Sequence, residues 1–173
     1  MERERILAYL VENPIEFLKI LYPRHSFKWF HRVWLKMQLE NRQTLILAPR
    51  GHGKTTVCTI GYLLMRTLFN PNLRALVVSN TQSQAQALLS EIRQHLERNR
   101  DIEYLFGPVR GYKWTESELV FAQRTIVAKE ATITALGVFG PLTLRHFDII
   151  VADDLVDFEN SRSSEQRRKL RDW

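Results

Sequence analysis

Apolar residues recur at helical spacing through the first forty or so positions and gather into short, dense runs after that, and this change of period organises the chain. Residues 3–12 place Ile6, Leu7, Leu10 and Val11 on one helical face. Asn13-Pro14 then reads as an N-cap followed by proline in the first turn, opening a helix to Leu21 that ends at Tyr22-Pro23. From Ser26 to Glu40, Phe30, Val33, Trp34 and Met37 return every three or four residues, which predicts an amphipathic helix with those side chains inward.

Beyond residue 41 strand-like and helical runs alternate. Thr44-Leu45-Ile46-Leu47-Ala48 has a buried-strand pattern, and Lys54 to Asn70 is a helix with Val57, Ile60, Leu64 and Leu68 inward. Arg74 to Ser79 is a second buried strand, and from Ser83 onward Ala85, Leu88, Leu89, Ile92 and Leu96 form another helical face. This order predicts an α/β fold, a mostly parallel sheet flanked by helices and preceded by a helical segment. Residues 112–135 add short β-rich pieces, Leu119-Val120-Phe121, Thr125-Ile126-Val127 and Thr132-Ile133-Thr134, with a turn at Gln123-Arg124. Another apolar run, Phe147 to Ala152, ends in Asp153-Asp154, and Ser163 to Trp173 is polar, basic and helical in character. No strand pattern follows the Asp-Asp pair, so the C-terminal part of the sheet is expected to be incomplete.

Composition narrows the class. The 173 residues, 45% of them hydrophobic, suffice for one domain, with a helical segment over 1–41 and a core over 42–173. No apolar run approaches the roughly 20 residues that span a bilayer, and the charged start Met1-Glu2-Arg3-Glu4-Arg5 leads into no signal-peptide core, so a cytosolic protein without a membrane partner is expected. The single cysteine, Cys58, has no internal partner and reads as core filler. A formal net charge of +6 and a pI near 9.7 favour a polyanionic partner.

The chemistry lies where the first strand-like run breaks. Pro49-Arg50-Gly51-His52-Gly53-Lys54-Thr55-Thr56 is a glycine-bearing loop entering a helix, and it reads as a phosphate-binding P-loop. Gly51 and Gly53 allow backbone N–H groups to curl around phosphate oxygens at a helix start that favours anions; Lys54 reaches the β- and γ-phosphates, and Thr55 holds Mg²⁺. Ala48 stands where the first glycine of the standard spacing belongs. The second motif is the run closing on Asp153-Asp154, a Walker B pattern in which Asp153 serves the metal and Asp154 is the catalytic carboxylate that polarises the attacking water. ATP and Mg²⁺ are the expected cofactors, on a P-loop NTPase core of the ASCE, RecA-like kind. Trp29, His31 or Trp34, just upstream of the loop, are candidates for bordering the adenine. The histidines show no zinc spacing, and no G-x-S-x-G elbow is present.

With both motifs placed, most of the chain resembles the N-terminal ATPase domain of the large terminase subunit of tailed bacteriophages. The likeness rests on Leu47 to Thr56, Val78 to Ala85, Lys113-Trp114-Thr115 and Arg145 to Val156. It implies an ATP-driven motor that moves double-stranded DNA into a procapsid, works as a homo-oligomeric ring with the portal and the small terminase subunit, and acts in the cytoplasm of the infected host. The family's nuclease domain and coupling strand have no counterpart in these residues. The resemblance also implies an arginine acting on the γ-phosphate: Arg145, delivered from a neighbouring subunit, is the first candidate and Arg50, acting in cis, the second. Leu144 departs from the small residue the family often carries before that arginine. A nucleic-acid helicase ATPase and a catalytically silent ATP-binding assembly module are the alternative readings.

Overall fold

The computed structural model describes residues 1–142, 145–157 and 161–173; Thr143, Leu144 and residues 158–160, and with them the departure noted at Leu144, lie outside it. Helices α1 (Glu2–Glu12), α2 (Pro14–Leu21) and α3 (Trp29–Glu40) come first, close to the predicted bounds. Pro14 sits in the first turn of α2, but Asn13 does not cap it: its side chain donates to the Tyr9 carbonyl at 2.9 Å. The helix after the glycine-bearing loop begins as a π-helical segment, Thr55–Gly61, and continues as α4 (Tyr62–Phe69). Then follow β1 (Ala75–Ser79), α5 (Gln82–Arg98) and α6 (Arg100–Phe106), strands β2 (Arg110–Trp114), β3 (Glu118–Phe121), β4 (Ile133–Gly137) and β5 (Ile149–Asp153), and α7 (Ser164–Asp172).

The five strands form one mixed sheet in the order β2-β3-β4-β1-β5. Its centre is parallel: Val77 of β1 lies opposite Ala135 of β4 and Val151 of β5, and Ser79 lies between Gly137 and Asp153. The three parallel strands thus finish in line, and their carboxyl ends make the sheet edge where open α/β folds bind ligands. The antiparallel β2 and β3 extend the other side. At the opposite end of the sheet Asp148, just before β5, accepts from the Arg74 backbone and guanidinium at 2.7 to 3.0 Å, holding the entries of β1 and β5 together.

The core lies between the sheet and the helices. Val77, Ala75 and Ile133 pack there with Leu63 and Leu64 of α4, Leu89 and Ile92 of α5, and Phe17 and Leu18 of α2. Phe17, Phe69 and Phe106 meet edge to face at centroid distances of 5.1 to 6.4 Å, tying α2, α4 and α6 into one apolar cluster. Gly61 makes the close approach of α2 possible, since a Cβ there would stand 2.2 Å from a Leu18 methyl.

Besides the Asn13 cap, three expectations need correction. Thr44 to Ala48 forms no strand: Leu45 and Leu47 are 78% and 85% exposed. A cleft of about 790 Å³, lined by Thr44 to Leu47 on one side and Asp148 to Val156 on the other, separates this segment from β5. An extended segment needs a neighbour for its N–H and C=O groups, and no described strand fills the gap. The inward face of α3 matches the predicted one only in part: Phe30 is half-buried and Trp34 packs against the core, but His31 and Leu35 are buried while Val33 and Met37 are exposed, because α3 packs against the start of the helix that follows the glycine-bearing loop. Thr125-Ile126-Val127 is likewise no strand, with Ile126 and Val127 exposed beyond the turn that follows β3.

Candidate functional site

The glycine-bearing loop turns at Arg50, Gly51 and His52, on exposed backbone. Gly51 and Gly53 hold φ of +78° and +71°, the left-handed region that side-chain-bearing residues rarely enter, so the two glycines set the curl of the loop. Arg50 and Pro49 are exposed, and Thr56 lies half-buried in the first turn of the helix.

Behind the loop stands α3. Lys28 N–H donates to His31 Nδ1 at 2.9 Å, which leaves the ring proton on Nε2 to be donated to the His52 carbonyl at 2.8 Å. His31 is 3% exposed, and its ring packs against Phe30 and Trp34 at centroid distances of 4.4 and 5.4 Å. Trp29, by contrast, points largely into solvent.

Four residues from the two motifs meet across the tip of β5. Lys54 Nζ donates to Asp154 Oδ1 at 2.7 Å, and Thr55 Oγ1 donates to Asp153 Oδ2 at 2.8 Å, across 100 and 98 residues of chain. Asp153 is buried as the last residue of β5, and Ser79 Oγ, on the neighbouring strand, donates to its carbonyl at 3.0 Å. Asp154, one residue on, has φ of +46°, and its side chain stands in solvent. Non-glycine residues in this conformation cost free energy and cluster at functional sites. The turn aims the two adjacent carboxylates at different partners, Thr55 and Lys54.

Electrostatics follow the same division. Burial pushes the Asp153 carboxyl above its ordinary range, with the Asp154 charge adding to the rise and the Thr55 hydroxyl opposing it. The hydrogen bond to Asp154 raises Lys54 above the usual lysine value, so it is a full cation at neutral pH. Cys58, one turn into the helix, is buried near Asp153, and its thiol is pushed up to about 12. Among the described residues no group of three or more His, Cys, Asp or Glu side chains forms a ready cation cage. The hydroxyl of Thr55 and the carboxylate of Asp153 are nonetheless a hard-oxygen pair of the kind that suits Mg²⁺, which takes few protein ligands beside phosphate and water oxygens.

Arg145 lies outside this group. Its guanidinium is 3.3 Å from Glu118 of β3, and the next residue, His146, donates its backbone N–H to the buried Glu130. Sequence reasoning included Ser79 and Asn80 in the run from Val78 to Ala85 but assigned neither a contact, and it did not assign His31 as a loop partner; a serine ending a strand and a histidine in a helix carry no local signal of either contact. Asn80 bonds Asp157 just beyond the acidic pair. Among the described residues no helix is long and apolar enough to cross a membrane. Comparison with protein-family models and with curated proteins gives no match to this chain.

Proposed function

We propose that this chain is a Mg²⁺-dependent P-loop ATPase domain, the motor of a phage-type large terminase, using ATP hydrolysis to drive double-stranded DNA into a procapsid. The observation that carries the reading is the meeting of Lys54 with Asp154 and of Thr55 with Asp153 at the carboxyl end of the parallel strands. Lys54 exchanges its carboxylate partner for the β- and γ-phosphates, and the left-handed glycines turn backbone N–H groups to the same anion. Asp154, released by that exchange, is free to accept a proton from the attacking water. Asp153 and Thr55 hold Mg²⁺, which when bound supplies positive charge to the phosphates. Arg145 from a neighbouring subunit completes the site, with Arg50 as the cis alternative. The partners are DNA, the portal, the small terminase subunit and further copies of the chain, in the infected cell's cytoplasm.

A second reading has its own support. The segment leading into the P-loop is unpaired with the sheet, and Arg145 is held by Glu118, both of which suit a module that binds ATP and docks without turning it over. Steady-state ATP turnover with and without double-stranded DNA, at varied protein concentration, separates the two. DNA-stimulated turnover that rises with concentration supports the motor; tight nucleotide binding without turnover supports the silent module; no nucleotide binding removes both.

A further inference from the structure

The loop of the candidate nucleotide site is held from behind by a side chain that neither motif contains. We propose that His31 is a positioning residue that sets the orientation of the 52–53 peptide and thereby aims the Gly53 N–H into the phosphate cradle; the second half of this inference rests on the P-loop reading.

The argument begins with the peptide plane. In a trans peptide the carbonyl of one residue and the N–H of the next point in opposite directions. The described chain has no cis peptide, and the His52 carbonyl faces α3, where it accepts from His31 Nε2 at 2.8 Å. The Gly53 N–H therefore points away from α3. Gly53 has φ of +71°, and glycine reaches several other conformations at little cost, so the loop itself does not select this one. The imidazole does.

His31 is unusually well fixed for that task. It is the third residue of α3, and its Nδ1 accepts the Lys28 N–H at the helix start, the same reach-back that a capping-box side chain makes. That bond selects the neutral tautomer with the proton on Nε2, the nitrogen that faces the loop. Phe27, Phe30 and Trp34 surround the ring at centroid distances of 4.4 to 5.7 Å and hold its plane. A Cβ on residue 53 would come to 3.4 Å from His31 Nε2 and from His25 Nε2, so the wall formed by these imidazoles also limits how far the loop can move back. One nitrogen thus serves the helix and the other serves the loop, and the two duties are separable by substitution.

His31→Asn places an oxygen where Nδ1 stands and can keep the Lys28 bond, but it is too short to reach the His52 carbonyl. His31→Gln places an amide N–H near the Nε2 position and can keep the loop bond. The melting temperature, backbone ¹⁵N order parameters of residues 50–54 without added nucleotide, and Mg-ADP affinity are measured for both variants and for the wild type. Both variants lose the packing of the buried ring and should melt below the wild type, yet only His31→Asn should lower the order parameters through the loop and bind Mg-ADP about tenfold more weakly, the worth of one hydrogen bond. His31→Gln should retain the loop order and most of the affinity. A His31→Asn protein whose loop is as ordered and binds as tightly as the wild type overturns the proposal. If the wild type itself binds no ADP, the nucleotide reading fails, while the order parameters still decide whether His31 holds the loop. A measurement that needs no variant is the ring ¹⁵N spectrum of the wild type: a protected proton on Nε2 with Nδ1 bare is expected, and a freely exchanging mixture of tautomers overturns the tether.

Discussion

Lys54 and Asp154 neutralise each other at 2.7 Å, so the cation read as a phosphate ligand and the carboxylate read as a water activator each occupy the place of the other's proposed substrate partner. Removing either end has different consequences. Asp154→Asn frees Lys54 and should leave ATP affinity equal or higher, while turnover falls on the order of 10²–10⁴-fold with the loss of the general base. Lys54→Ala should lose tight ATP binding while the fold is kept, since the Lys54 side chain adds little to the core. Calorimetric affinities beside steady-state rates check this; equal loss of binding in both variants would remove the division of labour.

Asp153 makes a complementary case. Asp153→Asn should weaken nucleotide binding in the presence of Mg²⁺, on the order of 10–100-fold, the range typical when a metal's supporting shell is altered. Binding of ADP in chelator should change little, because Asp153 touches Thr55 and not the loop glycines. A variant equally impaired with and without Mg²⁺ would show that Asp153 acts through packing at the end of β5.

The four residues of this site were legible as motifs because each motif is local: a glycine-bearing turn into a helix, and an apolar strand ending in acids. Their meeting across 100 residues follows from the helix after the glycine loop packing against β5, and the alternation of strands and helices suggested only that the two belong to one layered unit. What the sequence concealed depends on distant partners. Leu45 and Leu47 have strand character, but a strand exists only where something pairs with it. On α3 the helical period was right and the face right in part: Phe30 and Trp34 turn inward, but a histidine that donates to the glycine-bearing loop belongs inside although it is polar, while Val33 and Met37 stay outside although they are apolar.

The Arg74 and Asp148 pair gives a pH test of the fold. The Arg74 guanidinium, with its backbone N–H assisting, holds the Asp148 carboxyl below the usual range despite the opposing effect of burial. A depressed folded pKa stabilises fully above the unfolded value, near 4, and the contribution is lost as pH falls through the folded value. Asp148→Asn should therefore cost about 1 kcal/mol at neutral pH, a modest figure because the pair is partly exposed. The gap in melting temperature from the wild type should be constant from about pH 6 to 8 and shrink below about pH 4. A gap independent of pH would assign the cost to packing.

Gly61 bears on the stability of the helix that follows the glycine-bearing loop. The Leu18 methyl would lie 2.2 Å and the Thr56 carbonyl 3.0 Å from a new Cβ, so Gly61→Ala must push α2 away or move Leu18. Overpacking of this kind costs about 1–3 kcal/mol, more than alanine recovers through its better helix propensity. Chemical denaturation should show a lower midpoint, and Leu18→Ala in the same chain should recover part of the loss. A Gly61→Ala protein as stable as the wild type would mean that α2 is not seated against this helix.

The pairing of Arg145 with Glu118 bears on whether Arg145 acts between subunits. In the isolated chain the guanidinium is held by a carboxylate of β3, away from Lys54 and Asp154, so a trans role requires that it leave Glu118 when a neighbour presents its phosphates. Glu118→Gln should then preserve or raise turnover per subunit, whereas Arg145→Ala should lower it on the order of 10³-fold or more, the scale of arginine fingers. Mixing Arg145→Ala subunits with Asp154→Asn subunits should restore part of the activity, because some interfaces combine an intact acid with an intact arginine. Neither variant alone can do so. If the mixture remains inactive while mixed assemblies form, Arg145 is a structural partner of Glu118, and the exposed Arg50 in the loop becomes the residue to substitute next.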